Sequence, residues 1–99
     1  MLRHVVCLHL RADAPPDAVD GLRAALAALP TQIPEIRAYT FGPDVGLASD
    51  NADFAVVADF DDADGWQRYQ THPAHVAVVQ QHVLPHFERR HAVQLEIDA

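Results

Sequence analysis

The chain has no lysine, one cysteine, one serine and one tryptophan, and no apolar run long enough to span a bilayer. Without lysine there is no amine for a Schiff base or for attaching pyridoxal phosphate. Cys7 cannot close a disulfide within one chain. Its place among apolar strand residues suits a small core side chain better than a nucleophile. Ser49, the only serine, falls in a predicted loop with nothing nearby in sequence to recommend a catalytic triad. Seven arginines stand against fourteen acids, and the net charge of −7 argues against nucleic acid or an anionic membrane as partner. No charged start leads into a long apolar run with a cleavage site, so the expected compartment is the cytoplasm. Ninety-nine residues predict one domain spanning 1–99, which is small for an enclosed active site. An oligomer would help to close a pocket.

What the chain does have is histidine, seven in all, and one stretch that gathers the chemistry: Tyr69-Gln-Thr-His-Pro-Ala-His75. Pro73 pushes the residue before it out of the α region and itself suits the first turn of a helix, so one helix should end near Tyr69 and another begin near Pro73. His75 then lies in that first turn, free to point back across the break towards Tyr69. A high-pKa donor beside a group that titrates near neutrality is usable acid–base machinery. The same pair also reads as a buried structural hydrogen bond.

A metal is the obvious alternative use of so many histidines. His75, His82 and His86 would align on one unbroken helix, but Pro85 interrupts it, and no compact two-histidine-plus-carboxylate pattern is visible. The acidic run around Asp59, Asp61, Asp62, Asp64 and Gly65 fails as a calcium loop. Counting back from Gly65 puts Phe60 at the first ligand position, and counting on puts Thr71 at the last. No metal and no cofactor are expected.

Along the chain, Leu2–Leu10 alternates as a strand, with His4, Val6, Leu8 and Leu10 on one face and Arg3, Val5, Cys7 and His9 on the other. If the His4 face turns away from the helices, its imidazole looks into the space between two sheets. Asp13–Pro16 starts a helix that runs to about Leu29 on the repeat Val19, Leu22, Leu26 and Leu29, closed by Pro30 and Pro34. Strands follow at Glu35–Gly42 and Asp53–Phe60, joined by the polar loop 43–52. Asp61 or Asp62 caps a short helix that puts Trp66 and Tyr69 on one side. After the break, Val76, Val79, Val83 and Phe87 recur at helical spacing, and His91–Ile97 alternates as a last strand. The order β-α-β-β-α-β predicts a ferredoxin-like α+β fold, an antiparallel sheet with helices on one face. The other face needs a cover, which a second copy packed sheet to sheet would supply.

His4-Val-Val-Cys-Leu-His-Leu, Leu29-Pro-Thr-Gln-Ile-Pro-Glu-Ile, Phe54-Ala-Val-Val-Ala-Asp-Phe-Asp and above all Tyr69-Gln-Thr-His-Pro-Ala-His resemble the stress-responsive dimeric α/β-barrel (Dabb) family across almost the whole chain. The resemblance implies a ferredoxin-like protomer, a homodimer whose two sheets form a barrel, and a cavity between sheet and helices in each subunit. Most members have no assigned reaction. One plant member, olivetolic acid cyclase, folds a poly-β-keto chain by an intramolecular aldol reaction with a tyrosine–histidine pair. Tyr69 and His75 match that pair, and His4 matches a histidine of its cavity. Leu26 stands where the cyclase has a tyrosine and Phe54 where it has a histidine, which implies a more apolar pocket. Substrate contacts are therefore expected from His4, Leu26, Phe54, Trp66 and His72. The resulting reading is acid–base chemistry, such as aldol-type cyclisation, on a hydrophobic, polyketide-like carbonyl compound. A non-catalytic homodimer that binds a small apolar ligand or a protein under stress is the rival, and a barrel-type monooxygenase the third reading.

Overall fold

Alternation along Leu2–Leu10 becomes strand β1, and the side chains it buries are His4, Val6 and Leu8. The computed structural model describes residues 1–98. The elements that follow are helices α1 (Ala18–Ala27) and α2 (Leu29–Gln32), strands β2 (Ala38–Pro43) and β3 (Phe54–Phe60), and helices α3 (Ala63–Thr71) and α4 (Pro73–Val78). A π-helical turn (Val79–Val83) continues α4, and strand β4 (Phe87–Glu96) ends the series. The sheet runs β2-β3-β1-β4 with every neighbouring pair antiparallel, the ferredoxin-like α+β arrangement that the predicted element order requires.

Register puts His4 opposite Ala58, Val6 opposite Val56 and Leu8 opposite Phe54, so β1 and β3 present one buried face. Leu22, Leu26, Leu29, Ile33, Tyr69 and Val78 join that face in one core. It is the helix-covered face. The condition under which His4 would look into the space between two sheets is not met: its imidazole lies under the helices, on the side of the cavity that the family resemblance implies. The opposite face carries half-buried Val5, Cys7 and Val57 beside Val93 and Leu95, which are 56% and 43% exposed. Arg3 and Asp59, paired across β1 and β3 on that face, form a two-pronged ion pair at 2.8 and 2.9 Å.

Beyond Phe87, every residue of β4 is exposed, because the helices cover β1 and β3 but not this edge strand. One side of the space under the helices is left open as a result.

Several boundaries differ from the periodic pattern. The first helix begins at Ala18 rather than at the prolines, and Pro30 does not terminate a helix but sits in the first turn of α2, where its missing N–H costs nothing. β2 starts at Ala38, since Pro34 and the turn from Ile33 to Ile36 occupy the residues before it. Phe87 is not the end of a helical stripe. The chain first widens into a π turn, marked by the Leu84 N–H bonding the Val79 carbonyl at 2.9 Å, and after Pro85 it enters β4.

Asp62 caps α3 as predicted, its carboxylate accepting from the Gly65 N–H at 2.9 Å. Asp62→Ala is expected to cost about 1 kcal/mol by urea denaturation, with the slope of the transition unchanged.

Candidate functional site

The break between α3 and α4 is built by one residue. His72, extended at φ −64° and ψ 133°, is both the last cap of α3 and the first cap of α4, and its Nδ1 accepts from the Ala74 N–H at 3.0 Å. The change of direction at Pro73 turns His75 back onto Tyr69, ring centroids 4.2 Å apart and planes inclined by 43°. Their contact is ring against ring, and neither is the other's hydrogen-bond partner. The Tyr69 hydroxyl lies 2.8 Å from that of Tyr39 on β2, and His75 Nδ1 lies 3.3 Å from the Gln70 carbonyl. On the sheet side, the Gln94 amide of β4 donates to His4 Nδ1 at 2.8 Å, while the His4 ring packs 5.9 Å from Trp66 and 6.2 Å from Tyr69.

These partners determine which atoms remain for a ligand. A carbonyl only accepts, so His75 donates through Nδ1 and keeps its lone pair on Nε2, the form a general base needs. Gln94 donates to Nδ1 of His4, so neutral His4 carries its proton on Nε2 and is a donor. Burial lowers the pKa of His75, helped by the positive charge of Arg90 and opposed by the Gln70 carbonyl. Burial likewise lowers that of His4, to about 4, with Arg90 and His75 acting in the same direction. Burial raises the pKa of Tyr69, while Tyr39 and Arg90 draw it partly back; Tyr39 is itself raised, by burial first and by Tyr69 second. Near neutral pH the cluster holds two uncharged imidazoles and two protonated phenols. Either hydroxyl of the Tyr39–Tyr69 pair can donate to the other, and with Tyr39 as donor the Tyr69 proton is free for a substrate oxygen.

Tyr69 and His75 border a cavity of about 480 Å³ between the sheet and the helices. Its deep wall is apolar, including Val6, Leu22, Leu26 and Val56, and its rim carries the exposed residues Leu84, Glu88, Arg89 and Arg90. Of the residues expected to touch substrate, His4 and Leu26 line this space. Phe54, Trp66 and His72 do not. Phe54 is fully buried against Phe87, at a centroid distance of 6.3 Å; Trp66 stands behind His4; and His72 is occupied as a double cap. Trp66 Nε1 is buried with no hydrogen-bond partner among the described residues. Tyr39, Gln70, Gln94 and Arg90 were absent from the sequence-based set. Tyr39 is joined to Tyr69 across thirty positions, and the two β4 residues depend on strand register. Among the described residues, no three histidine, cysteine or acidic side chains gather as a metal-ligand group, and no helix is long and apolar enough to cross a membrane.

Residues 2–97 match the family model described as the stress responsive A/B barrel domain. The chain belongs to that family. Among solved structures, a dimeric ferredoxin-like protein of unknown function from Thermobifida fusca is 43% identical, covering 97% of this chain and 90% of the other at a TM-score of 0.90. Another of that description, from Bacteroides fragilis, is 29% identical over 97% and 95% of the two chains, with a TM-score of 0.87. A hydroxynitrile lyase from Passiflora edulis shares the fold at 18% identity, covering 98% and 93%, with a TM-score of 0.83. No curated protein matches the chain. In this A/B barrel chain, then, a neutral base, a phenol backed by a second phenol and a neutral imidazole border one apolar cavity.

Proposed function

We propose that the protein is a homodimeric, cofactor-independent acid–base catalyst acting on a hydrophobic carbonyl compound bound in the cavity between sheet and helices. The carrying observation is that His75, with Nε2 unengaged, lies against Tyr69 in the cavity wall. His75 takes a proton from the carbon next to the carbonyl, and Tyr69, supported by Tyr39, donates to the oxygen on which charge develops. The intramolecular aldol closure of a polyketide-like chain is the most specific form of this chemistry, since it needs a base, an oxygen donor and an apolar wall that folds the chain. The dimer is supported by the dimeric structures from Thermobifida and Bacteroides, and by the apolar sheet face on which Val93 and Leu95 stand exposed. A cytoplasmic, single-domain protein is the matching cellular reading.

The rival, a non-catalytic dimer that holds an apolar ligand, draws support from the hydrogen bonds Tyr69 and His75 already make within the protein. A panel of β-polyketide mimics and simple hydrophobic ketones, followed by thermal shift and product analysis, separates the two. Catalysis predicts that His75→Ala still binds and stabilises with the ketones but forms no product, and that Tyr69→Phe lowers the rate more than Tyr39→Phe does. Equal ligand responses in all variants with no product in any would favour the binding protein.

A further inference from the structure

Arg90 stands at the rim of the cavity that His4, Tyr69 and His75 also line. It stands opposite Leu8 in the β1–β4 ladder, on the helix side of the sheet, where no helix covers it. It lines the same cavity as His4, Tyr69 and His75, and its positive charge lowers the pKa of each. Among the described residues it makes no ion pair and donates no side-chain hydrogen bond. Arg3 and Arg37, by contrast, are held by Asp59 and Asp61.

Its surroundings sharpen the point. In a chain of net charge −7, Arg90 brings a cation to this rim, where Glu88 is the acid; Arg89 stands opposite His9 in the ladder, on the other face of the sheet. The planar guanidinium fork fits a carboxylate with two parallel hydrogen bonds. Behind it the wall turns apolar at Val6, Leu22 and Leu26.

Building on the carbonyl-chemistry reading, we propose that the cavity takes an oxo acid, with its carboxylate on Arg90, its carbonyl at Tyr69 and His75, and its hydrocarbon end against Leu22 and Leu26. Arg90 lines the cavity together with the groups that would handle the carbonyl, so one ligand can engage both. The hydrocarbon end runs the other way, into the deep part of the cavity.

Calorimetric titration near pH 7.5 with 4-oxodecanoate and with its methyl ester tests the assignment. One charged hydrogen-bonded contact predicts that wild type binds the acid roughly 10- to 100-fold more tightly than the ester. Arg90→Gln should remove that preference and leave ester affinity unchanged, and Arg90→Lys should keep part of it. Arg23→Gln, which changes the net charge equally at an exposed site on α1, should alter neither. Equal binding of acid and ester by wild type would overturn the carboxylate anchor while leaving the carbonyl cavity standing. So would parallel weakening of both ligands in Arg90→Gln. Failure of wild type to bind either compound would overturn the cavity reading and the anchor together.

Discussion

Between about pH 7 and pH 4 the wild-type protein is expected to lose about 3 kcal/mol more stability than His4→Gln. In the unfolded chain His4 takes up a proton near its ordinary 6.5, but in the folded protein burial first, then Arg90 and His75, hold its pKa at about 4. Between those values the unfolded state binds more protons, so stability rises with pH. The contribution is complete above 6.5 and is lost as pH falls towards 4. Each unit of displacement corresponds to about 1.4 kcal/mol, which gives the expected difference. The imidazole is 1% exposed, so solvent does little to weaken the effect. The carboxylates of Asp59 and Asp61, drawn down mainly by their hydrogen bonds to Arg3 and Arg37, lose their own contribution at lower pH in both proteins and cancel in the comparison. Urea unfolding midpoints at intervals of pH measure the quantity. Parallel curves for the two proteins would mean that His4 is charged or solvated in the folded state.

His75→Ala is expected to slow hydrogen–deuterium exchange beside the carbonyl of a bound ketone such as 2-decanone by about 10²- to 10⁴-fold, the range that one positioned base supplies. The dimer should stay folded, because His75 is only part-buried and its bond to Gln70 is long at 3.3 Å. The pH profile carries the same signature. A base acts in its neutral form, so the rate should rise with pH through the His75 pKa and then level. Since burial lowers that pKa, the plateau should extend below the range of an ordinary histidine. Tyr69→Phe should lower the rate less, for it removes an oxygen donor while His4 Nε2 remains nearby as another.

How much of this the sequence disclosed follows from the range of each interaction. β1 was readable to its ends and β3 to within one residue, because alternation is a local property and both strands carry large apolar groups at alternate positions. The α3–α4 break was readable for the same reason: Pro73 acts on its immediate neighbour. Phe87 misled because it falls at a helical interval from Val83, and periodicity alone does not reveal that a π turn and Pro85 intervene. Pro30 misled because proline stops one helix and starts another equally well. Tyr69 and His75 were legible as neighbours across six positions, but Tyr69's actual hydrogen-bond partner, Tyr39, lies thirty positions back on another element. Gln94 and Arg90 required the β1–β4 register, which places His4 against Gln94 and Leu8 against Arg90. Nothing in a window of sequence marks β4 as the strand that the helices leave open.

The proposed chemistry requires that His75 stand neutral beside Tyr69, with its Nε2 lone pair turned to a ligand cavity. Nitrogen-15 chemical shifts of the histidine rings test it most directly, recorded near pH 7 with and without 2-decanone. The expected spectrum shows a neutral His75 protonated on Nδ1 and a neutral His4 protonated on Nε2. Both should shift on addition of the ketone, while His82, His86 and His91, which do not line the cavity, should stay in place. An imidazolium signal from His75 near pH 7, or ketone-induced shifts confined to the histidines outside the cavity, would contradict it.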